Sequence, residues 1–152
     1  MKSKNIIIAC ICFFVLCLIF LKLDNYIYIK HSKEDIKYLE KVSMNLSGKV
    51  IDVYDLAYGH GCAIVTIEIN ESNYKNFNDL ERDRFIGIIK DGKGYLTVIN
   101  SSFVEKGDFV IINSKVFKVF RKDKLIDNYN MSFHSNFTLS PYIEYRKKLE
   151  SF

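Results

Sequence analysis

The first feature of the chain is an unbroken run of apolar side chains near its start. Residues 6–21 are all apolar, Lys22 interrupts the run, and Leu23 extends it by one position. At 1.5 Å per residue, a helix over residues 6–23 measures about 27 Å, close to the roughly 30 Å hydrocarbon core of a bilayer. The Lys22 ammonium can reach the headgroups along its flexible stem. The pattern therefore predicts a transmembrane anchor at residues 6–23, behind a short cytoplasmic tail at residues 1–5.

Two other interpretations of this segment stay open. Lys2 and Lys4 are also typical of the positive region that begins a cleaved secretory signal. The small Ala9 before Cys10 resembles the lipidation site of a bacterial lipoprotein. We favour the retained anchor because the apolar run is long for a signal and continues well beyond Cys10. The positive charge of the short tail then predicts a single-pass protein of the cytoplasmic membrane with its C-terminal domain on the extracytoplasmic side.

After the anchor, the apolar positions recur with a helical period. Ile36, Leu39 and Val42 are spaced three residues apart, which places them in one stripe of a helix. Ser32 precedes this stripe and can cap the first turn. The pattern predicts a separate short linker helix within a juxtamembrane segment at residues 24–47.

From Gly48 onward the period changes to the alternation of β-strands. Ala63, Val65 and Ile67 fall on one side of such a strand, and polar residues fall on the other. The Asp91-Gly92 pair is a strong hairpin signal. The pattern predicts six strands, at residues 49–56, 62–70, 85–90, 95–100, 109–112 and 116–121. Short antiparallel strands at this spacing predict a mainly β domain at residues 48–123, folded as a small OB-like barrel or as a sandwich.

The remaining segment, residues 124–152, has a mixed pattern. Ser140 followed by Pro141 is a good helix start, because serine caps the first turn and proline fits its first position. We expect a tail that ends in a short C-terminal helix covering the edge of the β domain.

Composition narrows the possible functions. The 152 residues are 49% hydrophobic and 26% charged, which excludes a disordered chain. The net charge is +4, but it falls to +1 once Lys2, Lys4 and Lys22 are assigned to the membrane segment. A nearly neutral domain lacks the cations that a dedicated nucleic-acid binder uses to neutralise phosphates, so no nucleic acid is expected as a partner.

Cys62 and His60 are the candidate catalytic residues, because Cys62 is the one thiol outside the apolar run. An imidazole two residues away is the base that a thiol hydrolase or transferase needs, with His134 or Asp55 as a third group. The alternative is that Cys62 is a small apolar residue at the start of a strand. We favour packing, and hence a protein that is not an enzyme.

The sequence contains little that indicates a metal site or a cofactor site. Outside the anchor the histidines are only His31, His60 and His134, and no Cys-x-x-Cys or His-x-x-x-His spacing occurs. We therefore expect no metal site and no cofactor.

Residues 115–124 interleave aromatic and basic side chains. On an OB-like face such aromatics stack on sugars or on single-stranded bases, which makes oligosaccharide or single-stranded nucleic-acid binding an alternative function. The simpler interpretation is that Phe117 and Val119, or else Val116 and Phe120, face the core while the lysines face water.

Loops on a rigid scaffold most often carry recognition. We therefore predict two candidate ligand-binding loops. The first contains Ala57, Tyr58, Gly59, His60 and Gly61, and the second contains Asn73, Tyr74 and Phe77. With its anchor and strand spacing, the chain resembles small single-span bacterial envelope proteins that have a compact β domain and no assigned activity. That resemblance implies a non-catalytic module that binds or organises another envelope protein or an envelope polymer beside the lipid bilayer.

Overall fold

The structure is a computed structural model that describes residues 2–55, 62–81, 85–99, 103–131 and 146–152. The chain divides into two compact units, Met1–Tyr38 and Leu39–Phe152. The first unit is helical, and we call the second the β unit.

Helix α1 runs from Lys2 to Val42. The structure therefore differs from the predicted separate linker helix, because one continuous helix covers both the apolar run and residues 31–42. The reason is that no glycine or proline occurs before Gly48, so nothing interrupts the backbone hydrogen bonds. Helix α1 ends at Ser43, which adopts a left-handed φ of 46° and donates its N–H to the Leu39 carbonyl.

In the described residues eight strands follow, all paired antiparallel in one sheet. They are β1 (Asn45–Asp55), β2 (Cys62–Ser72), β3 (Phe77–Asn78), β4 (Gly87–Lys90), β5 (Lys93–Ile99), β6 (Phe109–Asn113), β7 (Val116–Arg121) and β8 (Lys124–Asn130). Their order across the sheet is β3-β4-β5-β2-β1-β6-β7-β8. A short C-terminal helix, α2, is described over residues 146–150. The mainly β fold and the terminal helix are confirmed.

The described sheet is open, so the predicted barrel or sandwich is not confirmed. Strands β3 and β8 form its two edges and are not paired with each other. Both edge strands arise in segments whose sequence pattern is weak. Strand β3 is a two-residue strand inside a polar stretch, and β8 lies in the segment interpreted as a tail.

One face of the sheet carries most of the buried apolar side chains. Directly paired residues of antiparallel strands share a face, and the register pairs Val65 with Leu96 and Val110 with Val119. The buried residues of this face are Leu46, Val50, Ala63, Val65, Ile67, Ile89, Leu96, Val98, Val110, Ile112, Phe117 and Val119. The burial of Phe117 and Val119 confirms the first of the two predicted orientations of β7.

The opposite face is buried locally, under the C-terminal segment. Ile64 and Ile88 project from β2 and β4 into a cluster with Leu149 of α2. Leu80 and Phe85 complete the buried cluster, and Tyr54, Tyr95 and Phe152 pack around it. The C-terminal helix is therefore part of the core of the β unit.

In each of two hairpins of the sheet, both turn residues have a positive φ. Asp91 and Gly92 have φ values of 50° and 72°, as a type I′ turn requires. Lys122 and Asp123 adopt the same conformation, with φ values of 49° and 63°, although neither residue is glycine. The β7–β8 turn therefore holds backbone strain that the β4–β5 turn avoids.

We expect Asp123→Gly to stabilise the β unit by about 0.5–1 kcal/mol, because glycine adopts positive φ without steric cost. Urea unfolding of the full chain in mild detergent measures the change. The control is Asn128→Gly, at an exposed position within β8, which should lower stability by a similar amount. Equal effects of the two substitutions would contradict the assignment of strain to the turn.

Candidate functional site

The first predicted ligand loop is not described by the structure. Residues 57–61, including His60, lie outside the described residues, as does His134. The backbone of Cys62 pairs with Ile99 at the start of β2, and Asp55 ends β1 with an exposed side chain. A thiol–imidazole pair of Cys62 and His60 stays a prediction.

The second predicted loop is fastened to the end of helix α1. The Asn73 Oδ1 accepts the Asn45 N–H at 2.8 Å, and the Asn73 Nδ2 donates to the Ser43 carbonyl at 2.9 Å. The Tyr74 hydroxyl donates to the Val42 carbonyl at 2.7 Å. These bonds satisfy backbone groups that a helix end leaves without helical partners. Asn73 and Tyr74 thus hold the junction between helix and sheet.

The turn between β6 and β7 holds the same junction from another side. The Ser114 N–H donates to the Met44 carbonyl at 2.7 Å, and the Lys115 Nζ lies 2.5 Å from the Glu40 Oε1. Leu39 and Met44 are buried between these contacts. The last turn of α1 is therefore an integral part of the β unit.

We expect Tyr74→Phe to destabilise the β unit by about 1 kcal/mol, because the half-buried Val42 carbonyl loses its donor while the ring stays in place. Urea unfolding measures the loss, and hydrogen exchange should show faster opening of residues 39–45. Lys75→Ala, in the exposed part of the same loop, is the control and should change neither measurement.

Two candidates of the second loop line clefts: Asn73 lines one of about 440 Å³ beside β1 and β6, and Phe77 lines another. Phe77 is half-buried in β3 and packs against the Tyr74 ring with a centroid distance of 5.3 Å. The Phe77 cleft has a volume of about 470 Å³ and lies beside the β3 edge of the sheet. Its lining combines the apolar Phe77, Leu80, Ile88, Ile89, Leu149 and Phe152 with the polar Asn76, Asn78, Lys90 and Glu150.

One wall of the cleft is fixed by an aromatic stack. The Phe152 ring lies on the Tyr95 ring with a centroid distance of 4.3 Å and an interplanar angle of 18°. The Lys148 Nζ lies 5.0 Å from the Phe152 ring centroid and 4.9 Å from that of Tyr54. Such stacking and cation–π contacts hold the wall in one arrangement. An apolar cleft with a few polar groups on its rim is the kind of surface that takes up a ligand.

A charged cluster of the β unit connects β7 to the turn before β6. The Asp108 carboxylate is buried and accepts two bonds from the Arg121 guanidinium, from Nε at 2.8 Å and from Nη2 at 2.9 Å. It also accepts the Glu105 N–H at 2.9 Å, and Glu105 accepts a bond from the Arg121 Nη1 at 2.9 Å.

These contacts set the protonation state of the cluster. Burial raises the pKa of Asp108, but the hydrogen bonds from Arg121 and from the Glu105 N–H, together with the Arg121 charge, lower it by more, so the net pKa lies below the usual value. The hydrogen bond to Asp108 in turn raises the pKa of Arg121, against the opposing effect of desolvation. Both groups stay charged near neutral pH and cross-link two segments of the sheet.

A second buried carboxylate, Asp79, follows β3 directly and binds the backbone at the start of β4. Its Oδ2 accepts the Ile86 N–H at 2.8 Å and its Oδ1 accepts the Gly87 N–H at 3.0 Å. The Thr97 hydroxyl donates to the Ile86 carbonyl at 2.9 Å. Asp79 therefore acts as a structural acceptor that positions β4 beside the cleft.

Within the described ranges, no group of three or more His, Cys, Asp or Glu side chains is placed to hold a metal ion. His31 lies on α1 with its Nδ1 3.6 Å from the Glu34 carboxylate.

No match to a known protein was found. This holds for protein-family models, for curated proteins and for solved structures. The function is therefore inferred from the chain's own contacts and charges.

Sequence reasoning did not anticipate most residues of the cleft. Ile88 and Ile89 stand in a predicted strand, but their pattern gives no indication that this strand lies near an edge. Phe152 lies at a large sequence distance from Tyr95, and local periodicity carries no information on such contacts. The polar stretch before Phe77 was the one usable signal, because it marked a loop.

Proposed function

We propose that the chain is a membrane-tethered, non-catalytic β module that binds an extended segment of a partner protein in the cleft beside β3. The observation that carries the tether is a stretch of 18 residues in α1 with a mean hydropathy of 1.8, none of which is buried inside the described protein. Side chains such as Phe13, Phe20 and Leu21 are 70%, 64% and 65% exposed. Exposed apolar surface of this extent supports burial of the helix in a hydrocarbon layer.

The proposed tether is a single pass through the cytoplasmic membrane, with the β unit on the extracytoplasmic side. Lys2 and Lys4 support this orientation, because positive residues beside a span favour the cytoplasm. Protease added to intact spheroplasts should then digest the β unit, and it should do so only after lysis if the orientation is reversed.

Binding is favoured over catalysis by the way the buried polar groups are used. The carboxylates of Asp79 and Asp108 each accept at least two hydrogen bonds from groups that define turns of the sheet. Neither carboxylate is left with the open, unsatisfied geometry that a general base needs.

The cleft suits an extended peptide. Strand β3 is only two residues long and pairs with Ile88 and Ile89 of β4, so Lys90 of β4 extends beyond it, while the Gly87 N–H is already bound by the Asp79 carboxylate. A peptide strand that pairs along this edge can place alternate apolar side chains against Phe77 and Leu80. Lys90 and Glu150 on the rim can orient a partner by its charge.

A displayed library of random peptides, panned on the full chain in mild detergent, tests the binding proposal. We expect selected peptides with alternating apolar residues, and about tenfold weaker binding to a Phe77→Ala variant, since a large apolar contact is lost. Lys90→Glu, which removes no buried apolar contact, should change the charge preference of the selected peptides. Peptides that bind both variants as well as the parent chain, or selection of none, would count against the cleft.

A further inference from the structure

The β unit is rich in one short sequence motif, Asn-x-Ser/Thr without proline at the middle position. Such a triplet is the acceptor signal for attachment of a glycan to the asparagine amide. From the twelve asparagines and the fifteen serines and threonines among the 152 residues, about one triplet is expected by chance. The chain has five, all after the apolar run, and their asparagines are Asn45, Asn70, Asn100, Asn130 and Asn136.

Hydrogen bonding distinguishes two of these asparagines from each other. The structure describes the side chains of Asn45 and Asn70, and both are exposed. The Asn45 Nδ2 donates to the Ser43 carbonyl at 3.1 Å, and the Asn45 N–H donates to Asn73. The Asn70 amide forms no hydrogen bond with another residue in the described part of the chain. Asn45 is therefore engaged at the end of α1, whereas the Asn70 amide is available to a reagent from solution.

The backbone at Asn70 is also set apart from the ladder of the sheet. Strand β2 pairs with β1 through Ile69 with Gly48 and through Glu71 with Ser47, so Asn70 is an extra residue without a partner in β1. On the other side, the pairing of β2 with β5 ends at Glu68. Asn70 therefore lies at a bulge and has no paired residue in either neighbouring strand. A large group on its side chain would disturb no pair of the ladder.

Two flanking side chains complete the acceptor. Ser72 supplies the hydroxyl of the motif, and its Oγ accepts the Tyr74 N–H at 3.0 Å, which leaves the hydroxyl proton available for donation. Glu68, two residues before Asn70, is exposed, and none of the other four asparagines has an acid at that position. A flanking charge is a feature by which an enzyme distinguishes one acceptor from another.

We propose that Asn70 is the acceptor of an N-linked glycan. The proposal rests on the proposed orientation of the tether, because exported domains meet the donor, an oligosaccharide carried on a polyisoprenyl pyrophosphate, on the extracytoplasmic side. The Asn70 Nδ2 forms a bond to the anomeric carbon of the sugar, and the bond from that carbon to the pyrophosphate oxygen breaks. Polyisoprenyl pyrophosphate leaves, and the amide releases one proton. The partner that this chemistry requires is a membrane-bound transferase that binds both the donor and residues 70–72.

The glycan and the proposed partner segment would occupy different surfaces. Glu71 and Ser72 line the cleft of about 440 Å³ beside β1 and β6, so a glycan on Asn70 adds a bulky hydrophilic group next to that cleft. No residue of the triplet lines the Phe77 cleft. Glycosylation is therefore compatible with peptide binding beside β3.

Mass spectrometry of the full chain, taken from membranes of the cells that naturally produce it, tests the assignment. We expect a chain that is heavier than its sequence, with fragment ions that place an oligosaccharide on Asn70. Asn70→Gln should lose the mass of that oligosaccharide completely. Ser72→Ala should lose it as well, whereas Ser72→Thr, which keeps the hydroxyl, should retain it.

Asn76→Gln is the matched control. Asn76 is also exposed, but Asn78 stands where the motif has serine or threonine, so this variant should keep the oligosaccharide on Asn70. A parent chain without an oligosaccharide on Asn70 would overturn the proposal. Retention of the Asn70 oligosaccharide in Ser72→Ala would overturn it too, because the modification would then not depend on the motif.

Protease digestion of intact spheroplasts separates failure of this proposal from failure of the proposed orientation. If protease reaches the β unit from outside and Asn70 is unmodified, glycosylation alone is refuted. If protease reaches the β unit only after lysis and Asn70 is unmodified, both proposals are refuted.

Discussion

Replacing Gly87 by alanine should destabilise the β unit by about 4 kcal/mol, one of the two largest effects that we expect from a single substitution. Gly87 has a φ of +145°, and an added Cβ would lie 2.0 Å from the Tyr95 carbonyl oxygen. Backbone strain at such a φ costs about 1–3 kcal/mol, and forcing apart a packed strand pair costs about as much again. The urea midpoint of the full chain in mild detergent should fall by about 2 M.

Gly92→Ala is the matched control, because Gly92 also has a positive φ, of 72°, but no atom lies within 4 Å of its added Cβ. It should cost only about 1 kcal/mol. The difference between the two variants in free energy of unfolding measures the cost of the steric clash with Tyr95. If both variants unfold at the same urea concentration, the close approach of β4 and β5 at Gly87 is wrong.

The second large effect is expected from Asp108→Ala, which should cost about 3–4 kcal/mol. The substitution leaves the Glu105 N–H without its acceptor and removes the two bonds that the buried carboxylate receives from Arg121. Removal of one partner of a buried ion pair is strongly destabilising because the other groups lose their compensation. Chemical unfolding at pH 7 provides the measurement.

Glu105→Ala serves as the control for this cluster, since Glu105 binds the same Arg121 with a side chain that is 65% exposed. An exposed ion pair contributes little, so the loss should stay below about 1 kcal/mol. If Glu105→Ala lowered the free energy of unfolding more than Asp108→Ala, burial would not determine the strength of these contacts.

The low pKa of Asp108 also predicts how stability depends on pH. A carboxyl whose pKa is lower in the folded than in the unfolded state stabilises the fold above its unfolded pKa of about 3.9. This stabilisation is lost as the pH falls through the folded pKa. The stability difference between the parent chain and Asp108→Asn should therefore be constant from pH 7 to about pH 5 and shrink below about pH 4. A constant difference down to pH 2 would contradict the assignment.

Local patterns predicted those elements that local physics determines. The alternation of Ala63, Val65 and Ile67 located β2, and the Asp91-Gly92 pair located the β4–β5 turn, because residue type alone favours positive φ at that site. The orientation of β7 was narrowed to two choices, and burial of Phe117 decides between them. A short C-terminal helix was predicted and residues 146–150 are helical, whereas its predicted start at Ser140 and Pro141 lies outside the described residues.

What the sequence could not supply is the long-range pairing. Strand β1 pairs with both β2 and β6, so Leu46 lies beside Ile112 across a large loop of chain, and no local period encodes such a partner. The linker helix was predicted as separate because Ser32 can cap a helix start, although residues 24–30 contain no glycine or proline to end the preceding helix. Asn73 and Tyr74 were predicted to bind a ligand, but their side chains bind carbonyls at the end of α1. The sequence could not reveal this role, because it does not show where those carbonyls lie in the fold.

The tether is tested most directly by alkaline carbonate extraction of membranes from cells that express the full chain. The account predicts that the chain stays in the membrane pellet at its full length. A chain with Leu16→Lys and Ile19→Lys should move to the supernatant, because two charges in the middle of a span strongly disfavour insertion, while Leu16→Val with Ile19→Val should stay in the pellet. Release of the unprocessed parent chain by carbonate, or recovery of only a shortened chain that lacks residues 1–23, would contradict the account.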